Sequence, residues 1–125
     1  MIQFPNVGRR TITSNYTTVT TDSYIEADTS GGNITLTLNP FSYSVYNPLL
    51  HLNQNYQSVT VKKIDSANTL TIQGSGSTTI NSGATLALTS LNDVITFLYN
   101  SVAGDYRAIS NYNTSSPSGG VTSVS

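Results

Sequence analysis

The run Ile34-Thr35-Leu36-Thr37-Leu38 alternates apolar and hydroxyl side chains at a period of two. In an extended chain that spacing sends the two kinds of side chain to opposite faces, so one face packs while the other meets water. Leu70-Thr71-Ile72 and Ala84-Thr85-Leu86-Ala87-Leu88 repeat the pattern. Thr suits the outward positions, because its branched Cβ fits a pleated surface while its hydroxyl stays wet. No stretch carries the helical spacing of three, four and seven over a useful length. The fold class is all-β.

Turn chemistry divides these runs. Asp28-Thr29-Ser30-Gly31-Gly32-Asn33 separates Tyr24–Ala27 from Ile34–Leu38, and Asp65-Ser66-Ala67-Asn68 separates Val59–Ile64 from Thr69–Gln73. Gly74-Ser75-Gly76-Ser77 and Asn81-Ser82-Gly83 mark further breaks, and Ser101-Val102-Ala103-Gly104-Asp105 joins the run Val94–Tyr99 to Tyr106–Ser110. Gly supplies positive φ, while Asn, Asp and Ser bond locally to the backbone. Short strands at this spacing suggest a sandwich, a barrel or a small β-prism, and the expected module is a small antiparallel β-sandwich or β-prism-like one. Residues 39–57 differ: Pro40 and Pro48 each lack a ladder donor, and the segment carries Phe41, Tyr43, Tyr46, His51 and Tyr56. It reads as a long irregular connection with room for one helical turn, and a loop of that length is usually functional or docked on a neighbour. No clean internal repeat is visible.

Thr, Ser and Asn fill 50 of the 125 positions, whereas Asp, Glu, Lys and Arg together make up 9%. An average soluble domain carries about 25% charged residues, so this surface is wetted by hydroxyls and amides. With no cysteine there is no disulfide framework, thiolate nucleophile or zinc–thiolate site. Five cations against six acids leave no electrostatic footprint for nucleic acid. No apolar run approaches the ~20 residues of a membrane span, so membrane insertion is not expected. Met1-Ile2-Gln3-Phe4-Pro5 lacks the basic start and apolar stretch of a signal peptide. An extracellular role would then be reached by another route, such as assembly into a particle released by lysis.

The chain is short of reactive groups. His51, the single histidine, lies in the Tyr-rich segment with no acid nearby, so it lacks the setting of a positioned base. Glu26 and Asp28 stand two apart and would share a strand face, the pattern of a glycosidase pair. Asp28, however, precedes a Ser-Gly-Gly turn, where Asp normally caps, and Asp65, Asp93 and Asp105 also sit beside turn residues. No run has the regular oxygen ligands of a calcium loop, and Gly74-Ser75-Gly76 lacks the Lys and helix of a phosphate loop. No cofactor or metal is expected. Lys62 and Lys63, adjacent in a strand, should point to opposite faces. Tyr24, Tyr99 and Tyr106 read as core or subunit-contact residues. Tyr43, Tyr46 and Tyr56, with His51, are the candidates for glycan or subunit contact, since Tyr offers a flat apolar face and a polar tip.

The order Tyr24-Ile25-Glu26-Ala27-Asp28-Thr29-Ser30-Gly31-Gly32-Asn33-Ile34-Thr35-Leu36, Val59-Thr60-Val61-Lys62-Lys63-Ile64-Asp65, Ile80-Asn81-Ser82-Gly83, Asn92-Asp93-Val94-Ile95-Thr96-Phe97 and Tyr106-Arg107-Ala108-Ile109-Ser110 resembles the small β-rich modules of tailed-bacteriophage fibres, spikes and head-decoration proteins. The resemblance covers roughly residues 18–110. It rests on a strand ending in Asp before Ser-Gly-Gly and on a Lys-Lys-x-Asp step, while Gly104-Asp105-Tyr106 stands where such modules usually have Gly-x-x-Trp. It implies a homotrimer about a threefold axis, a virion location and no enzymatic activity. It also implies partners among other virion proteins of capsid or tail. Trimerisation would supply burial and edge cover that a thin, hydroxyl-rich core lacks.

The expected organisation is therefore an extended arm over residues 1–21, a β module over 22–110 and a Ser/Gly/Asn-rich linker over 111–125. The arm would attach to the particle through Ile2, Phe4, Pro5, Arg9 and Arg10. Two rivals to a virion structural protein are a module binding bacterial surface glycans through the Tyr43–Tyr56 segment and a small hydrolase using Glu26 and Asp28.

Overall fold

The computed structural model describes residues 8–19, 21–40, 45–47, 52–54 and 58–112. These hold strands β1 (Arg9–Ile12), β2 (Tyr16–Thr17), β3 (Tyr24–Ala27), β4 (Ile34–Leu38), β5 (Val45–Asn47), β6 (Leu52–Gln54), β7 (Ser58–Lys63), β8 (Leu70–Gly74), β9 (Thr79–Ile80), β10 (Thr85–Leu88), β11 (Val94–Asn100) and β12 (Asp105–Tyr112), with no helix among them. A six-stranded sheet runs β1-β3-β7-β11-β12-β9, a four-stranded sheet runs β10-β8-β4-β2, and β5 pairs with β6. The all-β class is correct, and the two sheets share one core as in a sandwich.

The pairing departs from the antiparallel expectation. β1, β3 and β7 run parallel to one another in the large sheet, as do β2, β4 and β8 in the small one. The first half of the chain therefore alternates between sheets, winding as a short parallel β-helix. The physical reason lies in the turns. Asp28–Asn33 is long enough to cross the ~10 Å between facing sheets and does not fold the strand back on itself. Turn residues report a change of direction but not which sheet comes next.

The winding contains a repeat that sequence identity hides. Tyr24 lies opposite Thr60, Ile34 opposite Leu70 and Leu38 opposite Gly74, a constant offset of 36 residues. Side-chain hydrogen bonds between Thr29 and Asp65, Asn33 and Thr69, and Asn39 and Ser75 keep the same offset through the turns. From β10 onward the order changes: β10 closes the small sheet antiparallel on β8, while β11 and β12 add antiparallel to the large one.

Alternation then fills the interior. Ile25, Val61, Ile95 and Phe97 come from the large sheet, and Ile34, Leu36, Leu70, Ile72 and Leu88 from the small one, all buried. Tyr106 is fully buried and meets Phe97 edge-on, with ring centroids 6.4 Å apart, and Tyr99 at 4.9 Å. Of the tyrosines expected in the core, Tyr106 is inside and Tyr99 packs against it. Tyr24 is half-buried and donates to Glu26.

Two boundaries move. Residues 9–12 and 16–17 are strands of the two sheets, so the body begins inside the expected arm rather than at residue 22. The segment expected as irregular contains the β5–β6 hairpin. At the end of β8, Gly74 passes so close to residue 78 that a Cβ would overlap the Thr78 carbonyl. Backbone cannot yield as a flexible side chain would, so Gly74→Ala is expected to cost about 1–3 kcal/mol, the scale of overpacking. A melting curve beside Gly83→Ala, where a Cβ meets only ordinary contacts, checks it.

Candidate functional site

Most of the acids are consumed by structure. Asp28 Oδ1 accepts from Ser30 N at 3.0 Å and Asp93 Oδ2 from Thr89 N and Ser90 N, so these two close turns as their sequence neighbours foretold, whereas Asp105 Oδ1 accepts from Ser82 N at 2.8 Å and ties β12 to the distant Asn81–Gly83 turn. Glu26, on the outer face of β3, accepts from the Tyr24 hydroxyl at 2.9 Å and lies 3.9 Å from Arg9. It stacks beside Lys62 of β7. Glu26 and Asp28 thus serve separate local contacts. Among the described residues, no three His, Asp or Glu side chains converge on a point that could hold a metal ion.

Lys62 and Lys63 divide as expected: Lys62 lies on the outer face, half-buried, while Lys63 is completely enclosed. β7 is an interior strand, so neither lysine guards a sheet edge. The Lys63 ammonium donates to the carbonyls of Asp65 (2.6 Å) and Ala67 (2.9 Å) and sits 3.7 Å from Asp65 Oδ1. Asp65 also accepts from Ala67 N and from the Thr29 hydroxyl one coil away, and Asn68 Nδ2 donates to Thr29 O. This cluster ties the second and third coils together at the end of the core.

A second cluster closes the β1–β2 end. Asp22, nearly buried, accepts from Arg10 Nε at 3.1 Å, from the Tyr16 hydroxyl at 2.6 Å and from Val19 N at 2.8 Å. The Arg10 guanidinium lies 4.6 Å over the Tyr16 ring, a cation–π contact. Burial, then the hydrogen bond to Asp22 and its charge, push the Tyr16 phenol up to about 12 against the opposing pull of Arg10. Burial and Glu26 likewise raise Tyr24. A phenol whose folded value lies above its unfolded ~10 contributes stability that is complete below pH ~10 and lost as pH climbs through the folded value. Melting temperature is therefore expected to fall between pH ~10 and ~12, and Tyr16→Phe to flatten that fall; tyrosinate absorbance gives an independent readout.

The carboxylates act at the other end of the pH scale. Burial alone would raise Asp65, but the Ala67 N–H, the Thr29 hydroxyl and N–H, and Lys63 outweigh it and hold it below the usual range. In Asp105 burial is outweighed in the same way by Ser82 N, the Thr79 hydroxyl and Arg107. A depressed folded value gives stability that is present above pH ~4 and lost as pH drops further.

An open surface groove lies beside the first two coils. Three residues intervene between Ile12 and Tyr16, but eight between their partners Ala27 and Leu36. The turn of the second coil therefore overhangs that of the first, and a groove of about 540 Å³ opens between them, lined by Thr13, Ser14, Asn15, Gly31, Gly32 and Asn33. Asn15 Oδ1 accepts from Thr35 N at 2.8 Å and Asn33 Oδ1 from Thr69 N at 2.9 Å. With the oxygens fixed, each carboxamide keeps its NH₂ for another partner. A Cβ at Gly31 would meet open space. The sequence pointed to Gly31 and Gly32 only as turn formers, because the groove depends on a length difference between coils that only the register exposes.

Of the residues expected to attach or bind, Arg9 and Arg10 lie on β1. Ile2, Phe4, Pro5, Tyr43, His51 and Tyr56 lie outside the described residues, and Tyr46 is placed only as the middle of β5, opposite Asn53. Compared with known proteins, the sequence matches no family model and no curated relative.

Proposed function

We propose that the chain is a non-enzymatic structural protein of a phage virion, a component of a tail fibre, spike or head decoration that works as a homotrimer. The observation that carries this reading is the winding of residues 9–74. Parallel coils held in register by both backbone and side chains make a stiff element whose length grows by stacking. Among the described residues, β1 and β2 are the outermost strands of their sheets, at the N-terminal end of the described stack. Arg9, with its side chain 60% exposed, sits at that end and is available for docking on a capsid or tail protein together with Ile2, Phe4 and Pro5. Light scattering after size exclusion, across a dilution series, tests the assembly state. Three chain masses at every concentration is the expected result; one chain mass throughout overturns the trimer.

The groove favours one second reading, recognition of a bacterial surface glycan. Hydroxyls and amide NH₂ groups without charge suit the hydroxyl and ring oxygens of a neutral sugar. Gly31→Gln fills open space and leaves the turn's hydrogen bonds intact. A glycan array should then show binding that falls at least about tenfold, or roughly 1.4 kcal/mol, with Gly31→Gln. Loss with Tyr43→Ala or Tyr46→Ala instead places recognition in the aromatic segment, and no binding by the intact chain ends the glycan reading.

A further inference from the structure

All eleven charged side chains lie among the described residues, and their placement is one-sided. Arg9, Arg10, Glu26, Lys62, Lys63, Asp105 and Arg107 belong to strands of the large sheet, and Asp22, Asp28, Asp65 and Asp93 to connections. β2, β4, β8 and β10 contain no charged residue at all. The outward positions of this four-stranded sheet form two cross-strand ranks, Thr17-Thr37-Gln73-Thr85 and Thr35-Thr71-Ala87. All seven are exposed or half-buried, and Gln73 Nε2 donates to Thr37 Oγ1 within its rank. The outer face of the large sheet is the opposite, with Arg9, Glu26 and Lys62 in neighbouring ranks.

We infer that the outer face of the four-stranded sheet is the surface on which copies of this chain meet, an inference that rests on the oligomeric reading above and assigns it an interface. Charge decides between the two broad faces. Copies joined through the large sheet would strip water from Arg9, Glu26 and Lys62, which is costly unless every ion finds an opposite partner. Joined through the small sheet, each copy keeps all eleven charges off the contact. The hydroxyl adds a positive reason: it donates and accepts, so Thr ranks on neighbouring copies of a trimer can satisfy one another, which an all-donor or all-acceptor array cannot do. Thr is also stiff at χ1 and loses little rotamer freedom on docking. Finally, the charge that normally keeps a solvent-facing sheet from associating is missing from this sheet, whereas the six-stranded sheet carries it.

The test uses the full chain in light scattering and sedimentation, comparing wild type with Thr71→Lys and Thr85→Lys on this face and Ser58→Lys on the large sheet's outer rank. Far-UV circular dichroism and a melt establish that each variant is folded; Thr85 and Ser58 are both exposed, which keeps at least one variant of each face folded. The expected result is an oligomer for wild type and Ser58→Lys, with dissociation shifted at least about tenfold in concentration for the two Thr variants. An uncharged contact should also leave wild-type assembly unchanged from about 0.1 M to about 1 M salt. If the Thr variants keep the wild-type mass while wild type is oligomeric, the face assignment is overturned and the oligomer stands. A monomeric wild type removes both. Thr71-dependent binding of a glycan by such a monomer would assign the face to carbohydrate and overturn the inference as well.

Discussion

Replacing Tyr106 with Ala should cost the fold about 3–5 kcal/mol, the range for deleting a fully enclosed aromatic ring. Three observations set the size. Tyr106 has no exposed surface, it meets Phe97 edge-on and Tyr99 at an angle, and its strand is held on both sides, by β11 and by the short β9. The aromatic contacts add roughly 0.5–1.5 kcal/mol each to what burial supplies. At roughly 3–5 °C per kcal/mol for a chain of this size, the melting midpoint should drop by 10 °C or more. Tyr106→Phe separates the ring from the hydroxyl: it keeps the packing and should lose about 1 kcal/mol. Urea titrations with unchanged slope would give both numbers. A loss under about 1 kcal/mol for Tyr106→Ala would mean the ring does not hold the core.

The strands around this ring were legible in the sequence because alternation is a local signal. Tyr24–Ala27 and Ile34–Leu38 are strands with the expected bounds, and the runs at 59–64, 69–73, 94–99 and 106–110 differ from β7, β8, β11 and β12 by one or two residues. Partnering was not legible. A period of two is the same for parallel and antiparallel neighbours, and Asp28–Asn33 advertises a turn without saying that the chain changes sheets. The 36-residue repeat was hidden for a related reason. Position by position, Tyr24–Asn39 and Thr60–Ser75 share only Ser30/Ser66 and Thr35/Thr71. What they share physically is the placing of Ile25, Ile34 and Leu36 against Val61, Leu70 and Ile72, and a turn of equal length.

The candidate sites show the same division. That Asp28, Asp65 and Asp93 close turns was readable from their neighbours, since an Asp readily bonds backbone N–H groups a few residues away, whereas Asp105 holds Ser82 N in a turn far off in sequence. The groove was not readable, because it arises where a three-residue turn lies beside a longer one, and no residue type marks that mismatch. The absence of charge from the small sheet is written in its strands, yet becomes a property of one surface only once β2, β4, β8 and β10 are known to be neighbours.

Lys63→Met is the second large effect, an expected loss of about 3 kcal/mol, and its sign needs an argument. Exchanging a whole buried ion pair for apolar groups is often neutral or stabilising, because charges are costly to desolvate. Here only one partner leaves. Met fills the volume beside Ala27 but donates nothing, so the carbonyls of Asp65 and Ala67 lose the ammonium that bridged them. Ala67 O keeps the Thr29 hydroxyl as a donor, so the Asp65 carbonyl is the acceptor left short, at about 1–3 kcal/mol. The Asp65 carboxylate, 19% exposed, recovers some hydration and keeps its bonds from Thr29 and Ala67 N, which holds the total below the ~5 kcal/mol upper limit for a broken buried pair. Asp65→Asn beside Lys63→Met should give a double-mutant coupling of about 1 kcal/mol or more, since ammonium and carboxylate share the turn. Additive losses would instead mean that Lys63 acts through the carbonyls alone, with the cluster held by its uncharged hydrogen bonds.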